Sequence, residues 1–324
     1  MRLNPIKNES DLATKAFFPV GLGRTGESTV TFPDGEKMTV TPDKVEWTVV
    51  NKLTGKKLAS FTERYGLLEH EDFINRIESN LADKGYGDLA WAADLGTDAR
   101  KQTPCREFFV EPDGGTLRAR YFLPSNDEVS SGDKLGYCLD AWNSMNGKTR
   151  EWMRMGAYRF VCSNGMIGFT DSVTFSKKHT KGNFAVDDAD LHTINSQFDK
   201  LWTNYSEDLD VYRVMDSQVI TKEQLESIIR KLPLGNPDKQ RKNNHFDGVR
   251  DRFWQSQFDE SRIHKSEFTL WDVFNATTEH LTHTVERDQG KIENAHRLQG
   301  RVAPFFKQLS DGIRDQKPLA ELLA

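Results

Sequence analysis

Cysteine is scarce in this sequence. The chain of 324 residues has only three, Cys105, Cys138 and Cys162, and their spacing matches neither a disulfide framework nor a zinc site. Few and unpaired thiols are typical of proteins that stay in a reducing compartment. The sequence therefore predicts free, buried thiols and a cytoplasmic location.

Long apolar runs are also missing. No stretch approaches the roughly 18 apolar residues that a membrane-spanning helix needs. The N-terminal sequence MRLNPIKNESDLATKAFF has no long apolar core after its charges, unlike a secretory signal peptide. We therefore expect neither a membrane partner nor secretion.

One glycine pattern matches a nucleotide-binding motif only in its letters. Gly21, Gly23 and Gly26 give G-x-G-x-x-G, but the motif requires a strand before it and a helix after it, and here the strand-like STVTF follows. We interpret this stretch as a flexible loop.

The histidines do not indicate a metal site. In TEHLTH, Glu279, His280 and His283 could share a helix face, but the helical zinc-protease pattern places Glu between two His four residues apart. No phosphate-loop, kinase, nuclease or deaminase signature occurs either. The sequence thus predicts no catalytic residue, no metal ligand, no cofactor and no enzyme activity.

Aromatic residues and turn signals indicate a folded α+β protein. Twenty Phe, seven Trp and seven Tyr argue against disorder. Alternating runs joined by Pro-Asp-Gly, Asn-Gly and similar turns predict antiparallel hairpins in the first half. The predicted strands are 28–32, 37–41, 45–51, 57–62, 105–111, 116–123, 135–143, 158–162 and, more weakly, 165–175. The first four are expected to form one antiparallel meander.

Helical spacing dominates the second half. The predicted helices are 69–83, 186–200, 207–218, 221–232, 246–258, 269–285 and 289–309. Thr221 and Gln224 form a capping-box pattern at the start of one of them. The expected architecture is an antiparallel, sheet-rich region 1–182 followed by a helical region 183–324 that packs on it, with a single domain left open.

Basic residues are concentrated in the middle of the chain. Between residues 141 and 182, seven Lys or Arg stand against two acids, which leaves +5 in a chain of net charge −5. Such a patch is typical of a surface that faces phosphates. A second basic cluster, at residues 230–252, carries a net charge of +4.

Binding of single-stranded nucleic acid requires cations that follow the backbone and aromatic rings that stack on bases. Both occur in the central stretch, although any single aromatic ring is more often part of the core than exposed for stacking. The predicted binding residues are Lys148, Arg150, Trp152, Arg154, Tyr158, Arg159, Lys177, Lys178, Lys181, Arg241 and Lys242.

An acidic segment comes directly after the patch and leaves another interpretation open. Residues 183–210 carry a net charge of −6. They form either a solvated helix face or a competitor for phosphate at the patch.

Two motifs resemble a known family. Arg159, Val161, Cys162, Asn164 and Gly165 give R-x-V-C-x-N-G. The second motif, T-x-W-x-x-x-N-A-x-T-E, falls on Thr269, Trp271, Asn275, Ala276, Thr278 and Glu279. Both are similar to those of phage- and plasmid-encoded proteins catalogued as a domain of unknown function, over about residues 61–306.

The resemblance implies a mobile-element origin and a role near phage DNA metabolism, and it carries over no catalytic residue. With the patch, it predicts a non-enzymatic single-stranded DNA-binding protein of phage replication, recombination or transcription, located in the host cytoplasm. Such a protein could recruit a phage or host polymerase or replication protein, and could oligomerise. A module that binds a host protein and a single-strand annealing recombinase remain as alternatives.

Overall fold

The computed structural model confirms the α+β architecture, with antiparallel sheets in the first half and helices in the second. It describes residues 3–24, 26, 28–31, 35–40, 46–100, 102–129, 134–159, 166–168, 175–177, 199–200, 203, 207–235, 245–257, 267–288 and 292–323. The described strands are β1 Asn4–Ile6, β2 Val20–Arg24, β3 Ser28–Thr31, β4 Lys37–Val40, β5 Trp47–Asn51, β6 Lys57–Phe61, β7 Ala90–Trp91, β8 Cys105–Val110, β9 Thr116–Glu128, β10 Lys134–Ser144, β11 Glu151–Arg159, β12 Met166–Gly168 and β13 Phe175–Lys177.

The described helices are α1 Glu9–Lys15, α2 His70–Asp83, α3 Thr97–Arg100, α4 at 207–217, α5 Lys222–Lys231, α6 His245–Gln257, α7 Leu270–Glu279, α8 Ile292–Arg314 and α9 Leu319–Leu322. A short 3₁₀ turn, Ala92–Asp94, comes after β7, and a π-helix, His280–Asp288, continues α7. None of the helices described is long and apolar enough to cross a membrane.

The central sheet is built on the β8–β9 and β10–β11 hairpins. The predicted strand 158–162 overlaps β11 only at residues 158 and 159, so the sequence missed most of this strand. The strands of the sheet lie in the order β1-β8-β9-β10-β11-β12, all neighbours antiparallel, while β13 pairs with the other end of β11 and β7 lies parallel to β8. Successive side chains of a strand point to opposite faces. On one face Leu139, Ala141 and Met153 are buried together with Phe73 and Ile77 of α2. The opposite face contains the candidate site.

The structure corrects two predictions in the first 62 residues. The glycine stretch is not a loop, because Gly21 and Gly23 lie in β2, which pairs along β5. Glycine is depleted in β-strands, so hydrogen-bonded pairing with β5, and not the local preference of these residues, determines this strand. The four strands predicted as one meander also divide, with β3–β4 a separate two-stranded sheet and β2-β5-β6 a three-stranded one.

Helices α2 and α4 to α7 begin within one residue of their predicted starts, whereas α1, α3 and α9 were not predicted. Thr221 accepts a hydrogen bond from the Gln224 backbone, and the Gln224 side chain accepts one from Thr221 N, which completes the capping box before α5. The predicted helix 69–83 is α2, which ends before Gly85 in a left-handed conformation with φ +91°. The predicted helix 186–200 lies almost entirely outside the described residues.

Helix α7 is the centre of the helical half. All its residues except Asp272 are buried, and its Trp271 and Phe274 rings pack against Tyr212 of α4. This core extends to Leu135 of β10, so the two halves touch along the sheet. The predicted division at residues 182 and 183 falls outside the described residues, and it stays a prediction.

Candidate nucleic-acid interface

The sheet face opposite α2 carries a row of alternating charges across four strands. Glu107 of β8 pairs with Arg120 of β9, which pairs with Asp140 of β10, which pairs with Arg154 of β11. Opposite charges on directly opposed strand positions attract one another. The row therefore joins β8 to β11 through side chains as well as through backbone hydrogen bonds.

Asp140 is the centre of this row. Its carboxylate is fully buried and accepts two hydrogen bonds from Arg118, at 2.9 Å from Nε and 2.8 Å from Nη2, and one from Arg154 Nη2 at 3.3 Å. Burial alone would raise the pKa of the Asp140 carboxyl, but the guanidinium groups of Arg118, Arg120 and Arg154 hold it well below its usual range. Asp140 is thus a permanent anion inside the sheet.

A stacked pair of tryptophans forms the neighbouring row. Trp142 and Trp152 are opposed across β10 and β11, with ring centroids 5.4 Å apart and planes 21° from parallel. The guanidinium carbons of Arg118 and Arg154 lie 5.2 Å and 5.3 Å from the centroids of Trp142 and Trp152. Trp142 is 3% exposed, whereas Trp152 keeps part of its surface in solvent.

In the turn between β10 and β11, Lys148 is paired with two acidic side chains, Glu111 and Asp113, and we call these three residues the clasp. The Lys148 Nζ lies 3.1 Å and 3.0 Å from the two carboxylate oxygens of Glu111 and 3.6 Å from Asp113 Oδ2. Asn146 Nδ2 donates a further bond, of 2.8 Å, to Glu111, which is buried. The hydrogen bond to Glu111 raises the pKa of Lys148, opposed in part by its desolvation. The Lys148 side chain still has 51% of its surface exposed.

The structure places several predicted binding residues at one end of the sheet. Lys148 and Arg150 are exposed at the start of β11. The backbone of Lys177 in β13 is paired with Glu151, the residue after Arg150. Half-exposed Trp152 comes directly after Glu151. We name this end of the sheet the hairpin end and define it by Lys148, Arg150, Trp152 and Lys177.

Other predicted residues lie elsewhere. Tyr158 and Arg159 are at the far end of β11, next to β12, about 27 Å from Arg150 at ~3.4 Å per residue. Lys178, Lys181, Arg241 and Lys242 fall outside the described residues.

Arg154 requires a correction. The sequence predicts that it contacts phosphates, but its side chain is only 8% exposed and it is hydrogen-bonded to buried Asp140. Its role in the structure described is to neutralise Asp140 and to cover Trp152. Trp142 is buried against Trp152 and Arg118, so its ring is not accessible to a base.

Sequence reasoning missed the charged row itself. In β9, Arg118 and Arg120 alternate with Leu117, Ala119 and Tyr121, a pattern that usually indicates a solvated face. The register between strands could have aligned Arg120 with Asp140, but nothing in the sequence shows that this face is covered.

A second polar cluster lies on α7 and the π-helix. His280 is 4% exposed, its Nε2 is 3.1 Å from Nδ1 of His245, and its ring fills the space over Gly248 of α6. Burial first, and then the neighbouring charges of His245 and Arg252, lower the pKa of His280 to about 4. His280 is therefore neutral near pH 7.

The residues of the motif at 269–279 cap α7 and fill its buried positions. Thr269 caps α7 in a capping box with Asp272, and Trp271 packs in the core. Glu279 is buried and lies 3.5 Å from Arg252. Asn275 is 4% exposed, and its Nδ2 has no hydrogen-bond partner among the described residues. Of the central motif only Arg159 is described.

Metal ligands and reactive thiols are the two other kinds of site considered among the described residues. No three His, Cys, Asp or Glu side chains there are placed to share a metal ion. Cys105 and Cys138 are free and buried, and burial raises the pKa of both thiols, that of Cys105 to about 11. Neither is a reactive thiolate near pH 7.

A family model described as "Domain of unknown function (DUF932)" matches residues 57–302, well over half of the chain. The protein belongs to the DUF932 family. The match agrees with the span of the resemblance in the sequence, and it leaves β1 to β5 outside the family region. Searches of curated proteins and of solved structures found no match.

Proposed function

We propose that this DUF932 protein binds single-stranded DNA, without catalysis, at the hairpin end of its central sheet. The observation that carries the proposal is the grouping of Lys148, Arg150 and the Lys177 backbone beside half-exposed Trp152, in a protein whose overall charge is negative. Cations beside an aromatic ring are what single strands bind, since backbone phosphates and base faces are both accessible.

The neighbouring sequence adds to this grouping. Lys178 and Lys181 come shortly after Lys177 along the chain. Arg154, which the structure buries, takes no part in the proposed surface. We place the role of such binding in the replication, recombination or transcription of a mobile element, with recruitment of a polymerase or replication protein as an extension of the same proposal.

The test is fluorescence anisotropy with a labelled oligo-dT. Three phosphate contacts on a single strand give a log–log salt slope of about −2, so that affinity falls about 20-fold between 50 and 200 mM salt. Absence of binding at 50 mM salt would refute the proposal.

A charge reversal localises the surface. Arg150→Glu should weaken binding at least about fivefold and reduce the salt slope by about 0.7, the value of one phosphate contact. The matched control is Arg301→Glu, which makes the same charge change at an exposed position of α8 and should alter affinity less than about twofold. Equal losses for both variants would show that only net charge matters.

One further assay separates a passive binder from an annealing recombinase. Complementary oligonucleotides are mixed with the protein, and the rate of duplex formation is measured beside its mass in solution. A rate above the protein-free control, with a ring-sized oligomer, would favour the recombinase; an unchanged rate favours simple binding.

A further inference from the structure

We infer that Glu111 and Asp113 compete with phosphate for Lys148, so that the wild-type hairpin end binds nucleic acid without this lysine and is self-inhibited. The inference rests on the proposed function and concerns how that same surface is regulated.

The contacts around Lys148 are those that a bound phosphate would make. The Nζ of Lys148 faces three carboxylate oxygens, two from Glu111 at 3.0 and 3.1 Å and one from Asp113 at 3.6 Å. Lys is a compact point charge that binds oxyanions without a fixed geometry. A phosphate oxygen can therefore replace these oxygens one for one.

The local charge supports inhibition. One lysine against two carboxylates leaves −1 at Lys148, next to the exposed cation Arg150. Arg150 is two residues from Lys148, at most about 7 Å along the backbone, so a phosphate that approaches Arg150 meets this excess negative charge inside the ~8–10 Å screening length at ordinary salt. The clasp therefore weakens the hairpin end beyond the loss of a single lysine.

The two acids are held in place by different means, which explains why the clasp persists in the free protein. Glu111 is 6% exposed and is fixed by Asn146, which itself bonds to Thr116 and Ser144. Asp113 accepts a 2.8 Å bond from Gly115 N in the turn between β8 and β9. Lys148 is half-exposed and has a long flexible stem, so it is the member that can move.

The experiment is a cycle of neutral, isosteric variants in the anisotropy assay with oligo-dT. Glu111→Gln keeps one oxygen for Asn146, and Asp113→Asn keeps one for Gly115. The double variant should bind about fivefold tighter than wild type, the factor of one exposed ion pair. Its salt slope should become steeper by about 0.7, because Lys148 now contacts a phosphate.

Variants at Lys148 distinguish competition for this lysine from general repulsion between the two acids and DNA. Lys148→Met leaves Glu111 and Asp113 without their counterion, so in the wild type it should weaken binding without changing the salt slope. In the double variant it should remove the steeper slope. A matched control, Asp315→Asn with Glu321→Gln, removes two exposed acids near the C-terminus and should leave affinity unchanged within about twofold.

The outcomes separate the inference from the proposed function. If wild type binds and the double variant does not tighten, or if its salt slope steepens equally with and without Lys148, the inference is overturned while the proposed function stands. If neither wild type nor any variant binds at 50 mM salt, both fail. Should Glu111→Gln lose its circular-dichroism signal, Asp113→Asn alone tests the same point with about half the gain in affinity, and an unchanged affinity overturns the inference.

Discussion

Protonation of His280 should destabilise the protein in mild acid. The imidazole is 4% exposed, lies 3.1 Å from His245 and packs on Gly248, where a Cβ atom would come within 2.3 Å of the ring. Such a site accommodates the neutral ring and penalises the charged one.

The size of the effect can be worked out from the two pKa values. The pKa of His280 is about 4 in the folded protein, against an ordinary value of 6.5. Because the folded value is lowered, the unfolded chain binds the extra proton between pH 6.5 and 4, and stability falls as the pH falls through this window. Two and a half units amount to about 3 kcal/mol in total, of which about 2 kcal/mol is lost between pH 7 and pH 5.

The assay is urea unfolding monitored by far-ultraviolet circular dichroism at pH 7 and pH 5. The ordinary pKa of a histidine side chain is about 6.5, so the difference between wild type and His280→Gln is used to isolate this residue. The variant keeps a hydrogen-bonding side chain and should lose about 2 kcal/mol less than wild type between the two pH values. If both proteins lose the same stability, the burial argument for His280 is wrong.

Two further predictions concern the sheet. Asp140→Asn should lower the free energy of unfolding by about 3–5 kcal/mol at pH 7, because two buried guanidinium groups lose their carboxylate; urea unfolding measures this, and a loss below about 1 kcal/mol would contradict it. Since the pKa of Asp140 is lowered on folding, its contribution is present above about pH 4 and is lost only in stronger acid. Gly114→Ala should lower the stability of the protein more than Gly35→Ala. Both glycines have positive φ, at +73° and +88°, but only at Gly114 would an added Cβ atom collide with a neighbour, 2.3 Å from a Phe18 ring carbon. Thermal unfolding of the two variants compares them, and equal losses would contradict the steric argument.

Local signals predict most of the elements. The capping box at Thr221 and Gln224 marks the start of α5, and the four-residue spacing of Phe73, Ile77 and Leu81 marks the buried face of α2. Both patterns act within one or two turns of chain, so the sequence alone contains the information that forms them.

Pairing between distant strands cannot be predicted in the same way. Gly21 and Gly23 form a strand only because β5 offers a partner. The sequence assigns Arg154 to the surface because it belongs to the basic excess between residues 141 and 182, and nothing local shows that both faces of β11 are covered. Arg154 lies opposite Asp140 because of the register of the β10–β11 pair, which aligns two residues 14 positions apart in the sequence.

The family region begins at residue 57, the first residue of β6, and this has a consequence for where the folded unit begins. Strand β5, the hydrogen-bonding neighbour of β6, lies before that border, as do Phe18, Val20 and Val49, which share a core with Tyr65 and Met145. A chain shortened to the limits of the family region would expose a bare strand edge and half of an apolar cluster under the β10–β11 turn. The folded body of this protein is therefore larger than the stretch that the family model matches, and the leading residues are part of the scaffold.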